Sequence, residues 1–165
     1  MRAVIVVTDT KSKTCCFTGH RKIPSGDQKQ ISGRLEKVLV SYIEQGYLYF
    51  GAGGAVGFDM LAAETVLKLK NQYPAIKLIL VLPCKEHCKY WSIVEKIRFA
   101  CIMRRADKIV YTAHVFTQDC MRKRNRHLVD NSSLCICYLT KSTGGTAYMV
   151  NYARRTGRSV INLAE

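Results

Sequence analysis

Along this chain, short runs of β-branched and aromatic residues alternate with helix-length segments in which apolar side chains recur every three or four positions. Thr14 to Thr18 reads as a strand ending at Gly19. Gln28 to Gln45 reads as a helix with Ile31, Leu35, Val38, Leu39 and Tyr42 at helical spacing and Gly46 where a left-handed cap closes it. Tyr47 to Phe50 predicts a second strand that runs straight into Gly51-Ala52-Gly53-Gly54-Ala55-Val56-Gly57. A helix then starts near Phe58-Asp59, with Phe58, Leu61, Ala62, Val66, Leu69 and Tyr73 on one face, Glu64 paired with Lys68 on another, and Pro74 as its stop. Lys77 to Leu82 predicts a strand, Val94 to Arg105 a helix with Ile97, Ala100 and Cys101 inward, and Lys108 to Thr112 a strand. Asp119 to Asn131 reads as a strongly basic helix, Leu134 to Leu139 as a strand, Gly145 to Thr156 as a helix capped by Gly157, and Ser159 to Leu163 as the last strand.

Strands alternating with helices predict an α/β fold, a doubly wound and mostly parallel sheet with helices on both faces. The 165 residues contain no long linker, repeat or low-complexity tract, so one domain is expected. Only the start departs from the pattern. Ala3 to Val7 looks like a strand, yet Asp9 to Lys13 is too short for a helical crossover, so residues 1–13 read as an antiparallel edge strand or an arm, and residues 14–165 as the domain.

Hydrophobic residues at 48% and charged residues at 23% exclude a disordered or collagenous chain. No apolar stretch approaches the ~20 residues of a membrane span, so no membrane partner is expected. The amino-terminal residues lack a secretory core and cleavage site, which predicts a cytoplasmic protein whose eight cysteines are reduced thiols. Lysine and arginine number 26 against 12 acidic residues, a formal charge of +14 that draws polyanions without choosing among them and that serves solubility equally well.

Three strand-to-helix junctions carry the residues of a phosphate cradle: Thr18-Gly19-His20-Arg21, the run Gly51 to Asp59, and Ser142-Thr143-Gly144-Gly145-Thr146. Glycine lets the backbone approach an anion, hydroxyls add donors, and ligands of open α/β sheets bind beyond the carboxyl ends of the strands. The second run is a poor dinucleotide fingerprint, because its third glycine falls at Gly57 and Leu82-Pro83-Cys84 stands where a ribose-binding carboxylate belongs. No Walker loop is present.

Cys16-Phe17-Thr18-Gly19-His20-Arg21, then Gly53-Gly54-Ala55 to Gly57-Phe58-Asp59 with Ala62-Ala63-Glu64, then Arg124-Asn125-Arg126 to Val129-Asp130-Asn131, and finally Gly144-Gly145-Thr146, resemble the YpsA-like branch of the SLOG superfamily. That superfamily also contains the DNA-processing protein DprA and the LOG phosphoribohydrolases. The resemblance runs in order from Thr14 to Leu163 and implies a Rossmann-like domain that binds a nucleotide-derived ligand over its glycine loops, commonly as a homodimer. The LOG enzymes carry a Pro-Gly-Gly-x-Gly-Thr-x-x-Glu motif whose glutamate serves N-glycosidic cleavage. Here Met149 holds that position, and a thioether does no proton transfer.

The candidate ligand-binding residues are therefore Thr18, Gly19, His20, Arg21, Gly51, Gly53, Gly54, Gly57, Asp59, Arg126, Asn131, Gly144, Gly145 and Thr146. Asp59 reads either as a ribose contact or base, or as a cap at its helix start, and Glu64 either as a catalytic carboxylate or as the surface partner of Lys68. Cys84, His87 and Cys88 lack the fourth ligand and the Cys-x-x-Cys spacing of a zinc site, so no metal and no cofactor is expected. Cys15, Cys16, Cys101, Cys135 and Cys137 read as small core residues. Binding, and possible sensing, of a nucleotide-derived phosphate ligand is the first reading. Hydrolysis of its N-glycosidic or phosphoester bond through Asp59 or Glu64, and single-stranded nucleic-acid binding through Arg122 to Arg126, are the alternatives.

Overall fold

The computed structural model describes residues 9–165, and the strand expected over Ala3 to Val7 lies outside them. After a single 3-10 turn the chain alternates β1 (Thr14–Gly19), α1 (Gln28–Glu44), β2 (Tyr49–Ala52), α2 (Phe58–Leu69), β3 (Lys77–Leu82), α3 (Ile93–Arg105), β4 (Lys108–Tyr111), α4 (Cys120–Asp130), β5 (Leu134–Tyr138), α5 (Gly145–Arg155) and β6 (Ser159–Asn162). The sheet order is β4-β3-β2-β1-β5-β6, and every pairing among the described residues is parallel. This is the expected doubly wound, Rossmann-like α/β fold. No helix among the described residues is long and apolar enough to cross a membrane.

Residue alternation along the central strands sorts the core into two layers. Cys15 and Phe17 of β1 and Leu134 and Ile136 of β5 point to the side covered by α1, α2 and α3, while Cys16 and Cys135 point to α4 and α5. Burying Phe17, Phe50 and Phe58 completely is worth roughly 1.5–3 kcal/mol each. The carboxyl end of β1 lies between those of β2 and β5, in register at Gly51 opposite Cys16 and Tyr138 opposite Gly19. Here the winding direction reverses, the place where such sheets open a crevice.

Three elements differ from the pattern reading. α2 ends at Leu69 and does not run on to the expected stop at Pro74. β2 begins and ends two residues later than expected, so Gly51 and Ala52 are buried strand positions. Helix α3 is rotated relative to the expected phase. Phe99 and Ile102 face the core, whereas Ile97, Ala100 and Cys101 are exposed. The inward side of α3 is fixed by aromatic packing, in which Phe99 meets the rings of His87 and Trp91 edge-on at 5.0 and 5.3 Å. A reciprocal capping box starts this helix, with the Glu95 N–H donating to Ser92 Oγ at 3.2 Å and the Ser92 N–H donating to Glu95 Oε2 at 2.9 Å.

Candidate functional site

The three glycine-bearing junctions meet at the crevice. A cleft of about 320 Å³ is lined by Thr18, Gly19 and Arg21 after β1, by Ala55 and Asp59 at the start of α2, by Arg124 and Asn125 of α4, and by Gly145, Thr146 and Met149 of α5. The amino ends of α2, α4 and α5 all reach it, so first-turn backbone N–H groups of three helices, apart from those of Phe58 and Cys120 that bond His20 and Thr117, share one small volume. A larger hollow of about 610 Å³ lies beyond Arg21, against Met60 and Leu61 and the α3 residues Glu95 and Arg98. The amino ends of α1, α2 and α3 border it through Gln28, Gly57 and Glu95, but no residue of the 142–146 junction reaches it, and Glu95 places a carboxylate on its wall.

Close approach explains the glycines of this region. A Cβ at Gly19 would lie 2.4 Å from the Phe58 side chain, and one at Gly57 would lie 2.3 Å from the Arg21 carbonyl oxygen, at a φ of +85°. The end of β1 thus packs directly on the start of α2. His20 secures the same junction: its N–H donates to the Tyr138 carbonyl, its carbonyl accepts from Phe58, and its Nε2 accepts the Thr140 N–H at 2.9 Å. Accepting that bond requires an unprotonated Nε2, and burial together with Lys141 lowers the His20 pKa. His20 therefore acts as a tie between loops and does not line the cleft.

Asp59 and Arg124 form the polar wall. Both are about 5% exposed. Arg124 donates through Nη1 to the Gly53 carbonyl and through Nε to Asn125 Oδ1 at 2.8 Å, while Asp59 Oδ2 accepts the Ala55 N–H at 3.4 Å. A side chain at Gly53 would strike both of them. Burial pushes the Asp59 pKa up to about 6, against the opposing pull of Arg124. Burial lowers that of Arg124, and Asp59 opposes the shift. Two buried opposite charges cancel at the wall, which leaves the helix termini and the exposed Arg21 as the uncompensated positive elements.

Thr18, Gly19, Arg21, Asp59, Gly145 and Thr146 are brought together, with Gly53, Gly54, Gly57 and Gly144 shaping the loops that carry them. Besides His20, four candidates sit elsewhere. Gly51 lies inside β2, where a Cβ would meet Leu128 of α4 at 2.9 Å. Arg126 points outward and donates to the Tyr148 hydroxyl at 2.9 Å. Asn131 donates to the His127 carbonyl at the far end of α4. Glu64 is held by Arg98 through two bonds of 2.6 and 2.7 Å, and Lys68 pairs instead with Glu36 at 2.8 Å. Arg124 was missed as a site residue, although its signal was present: Cys120, Arg124 and Leu128 are spaced by four and share the buried side of α4.

The family model described as the YspA SLOG family matches residues 15–161. The chain is 32% identical over 119 residues to the SPbeta prophage-derived protein YoqJ of Bacillus subtilis (strain 168), covering 65% of this chain and 70% of that protein. It is 23% identical over 153 residues to the UPF0398 protein YpsA of the same organism, covering 87% and 85%. Among solved structures, DNA processing protein A (DprA) from Streptococcus pneumoniae superposes with a TM-score of 0.63 at 16% identity, over 92% of this chain but only 50% of that one. DprA from Helicobacter pylori, described in its single-stranded DNA binding mode, gives 0.63 at 14% identity, over 93% of this chain and 66% of that one. These structural likenesses are to the fold.

Proposed function

The chain belongs to the YspA SLOG family, and on that premise we propose that it binds a nucleotide-derived, phosphate-bearing ligand in the cleft between β1, α2, α4 and α5. One observation carries the reading: three helix amino ends and the Thr18, Thr146 and Arg21 side chains converge on one space. Each terminus favours an anion by about 0.3–1 kcal/mol, and bonds to a charged group add about 1.5–3 kcal/mol. Met121 and Met149 supply apolar walls against which a sugar or base can rest. Calorimetry against mononucleotides, cyclic nucleotides and ADP-ribose tests it. At least one should bind, and Arg21→Ala should weaken that binding about ten- to a hundredfold without altering the fold, since Arg21 is exposed. A folded sample that binds none of them overturns the reading.

If the bound ligand is turned over, Asp59 is the carboxylate positioned to act, because Glu64 is engaged by Arg98 outside the cleft. Chromatography of products from wild type, Asp59→Asn and Glu64→Gln separates hydrolysis from binding. Turnover unchanged in Asp59→Asn would remove that carboxylate from the chemistry.

A second reading, single-stranded nucleic acid, is favoured by the outer face of α4 and α5. Tyr148 and Tyr152 stack there with ring centroids 6.5 Å apart, and Arg122, Arg126 and Arg155 lie 5.5, 5.6 and 5.9 Å over their rings. None of these arginines forms an ion pair among the described residues. Cations interleaved with aromatic faces suit a phosphate backbone with unstacked bases.

A further inference from the structure

The first turn of α2 divides two hollows, and Arg21 belongs to both. Ala55 and Asp59 line the cleft of about 320 Å³ on one side, while Val56, Gly57, Met60 and Leu61 line the hollow of about 610 Å³ on the other. The Arg21 backbone packs on Gly57 so closely that a Cβ there would lie 2.3 Å from the Arg21 carbonyl oxygen. Arg21 is itself exposed and lines each space.

We propose that the ligand has two parts joined through phosphate: a nucleotide in the cleft, the linking phosphate at Arg21, and a second, uncharged ring group, base or sugar, in the larger hollow. The proposal rests on the reading of the cleft as a nucleotide site and names the class of nucleotide derivative that fits it. A guanidinium presents several donors in one plane and so holds linked phosphoryl groups from a single position. Size agrees with a two-part ligand. The cleft alone stands at the small end of the roughly 300–1,000 Å³ range of ligand pockets, and the two hollows together approach its upper end.

The larger hollow suits a ring better than a further phosphate. Ile23, Val56, Met60 and Leu61 give it apolar walls. The α3 capping box already satisfies the Ser92 and Glu95 N–H groups, so that helix end offers an anion little, and the Glu95 carboxylate repels one. Arg98, also on the wall, is held by Glu64 through two bonds. The Gln28 amide makes only a 3.4 Å bond to the Ile23 carbonyl and is placed to turn toward a base edge or a sugar hydroxyl. A third hollow, of about 580 Å³, shares Arg21 and Lys22 as well. There Lys141 adds a cation, and Pro24 and Tyr138 are the main apolar surface, a lining that favours phosphate over a ring.

Calorimetry with ADP, diadenosine diphosphate and ADP-ribose tests the proposal. ADP carries the extra charge of a terminal phosphate, so attraction to Arg21 and Lys22 alone favours ADP. A ring group buried in the hollow reverses that order. At least one two-part ligand should bind about tenfold or more tightly than ADP: diadenosine diphosphate if the hollow takes a base, ADP-ribose if it takes a sugar. Gln28→Trp fills the hollow from the exposed first residue of α1 and should remove the gain while leaving ADP affinity unchanged. Lys141→Trp, exposed in the third hollow, should leave the gain intact. If ADP binds as tightly as both two-part ligands, or if Lys141→Trp abolishes the gain and Gln28→Trp does not, the proposal is overturned and the reading of the cleft stands. Absence of binding by all three in a folded sample overturns the proposal, and the reading of the cleft with it if other mononucleotides and cyclic nucleotides also fail to bind.

Discussion

Asp59 is a carboxyl group placed where the geometry favours anions, and its protonation decides how well the cleft receives one. Its pKa in the folded chain is about 6, above the ordinary ~3.9 of an unfolded aspartate. An acid whose pKa rises on folding contributes stability that is fully present below about pH 4 and is lost as pH climbs through about 6, up to roughly 3 kcal/mol. Denaturant melts across that window should show the loss in wild type and not in Asp59→Asn. Parallel pH profiles for the two chains would contradict the assignment. The same proton governs binding. A cyclic mononucleotide makes a clean probe, since its diester phosphate keeps one charge throughout, and it should bind wild type more tightly at pH ~5 than at ~7.5 with a flat profile in Asp59→Asn. Two glycines separate fold from cleft. Gly57→Ala drives a Cβ into the Arg21 backbone at positive φ and should cost roughly 2–4 kcal/mol. Gly145 has open space around it and lines the cleft, so Gly145→Ala should change stability by less than about 1 kcal/mol, and any decrease in affinity then reports on the cleft alone.

At the scale of elements, hydrophobic period and punctuation carried most of the reading. Gly46 and Gly157, at φ of +102° and +80°, close α1 and α5 as their sequence positions indicate. Period failed where tertiary packing overrode it. In α3 the apolar residues nearly encircle the helix, so periodicity alone could not choose between Phe99 and Ile97 as the inward side. The aromatic cluster with His87 and Trp91 makes that choice, and it depends on a loop distant from any helical template. In β2, Gly51 and Ala52 look like loop residues because they are small. Gly51 is small because α4 crosses over it, with Leu128 against it, while Ala52 packs in the opposite layer beneath α1, α2 and α3. The i, i+4 pairing of Glu64 with Lys68 lost to partners on neighbouring helices, Arg98 and Glu36, which no local window contains. The glycine loops of the cleft were legible from the strand ends they follow, whereas Arg124 was hidden in a basic run that reads as solvated. Two substitutions check the energetics of these elements. Ser92→Ala removes one half of the α3 capping box and should cost about 1 kcal/mol. Glu64→Gln breaks an exposed pair and should cost less than about 1 kcal/mol in the same unfolding measurements, with ligand affinity unchanged.

Across the whole molecule, a charge of +14 is far more than one phosphate cleft uses, and its distribution separates the two candidate ligands. Arg122, Lys123, Arg126 and Arg155 lie on the outer face of α4 and α5, while the cleft is neutral at its Asp59–Arg124 wall. A single strand with about four of its phosphates neutralised by these side chains should lose affinity with a log–log salt slope near −2.8, about 600-fold between ~0.05 and ~0.5 M salt. A mononucleotide seated on helix termini offers one or two phosphates and should respond far more weakly. Oligonucleotide binding on this face is therefore expected to lack sequence preference, since tyrosine stacking tolerates every base, and to fade near physiological salt. Reversing Arg122 and Lys123 to glutamate should weaken it at low salt and flatten the slope by about 0.7 for each phosphate no longer neutralised, leaving mononucleotide affinity in the cleft intact. The competition experiment carries the most weight. If an oligonucleotide survives physiological salt and is displaced by a mononucleotide, the two share the cleft, and nucleic acid becomes the ligand for which its three helix termini are arranged.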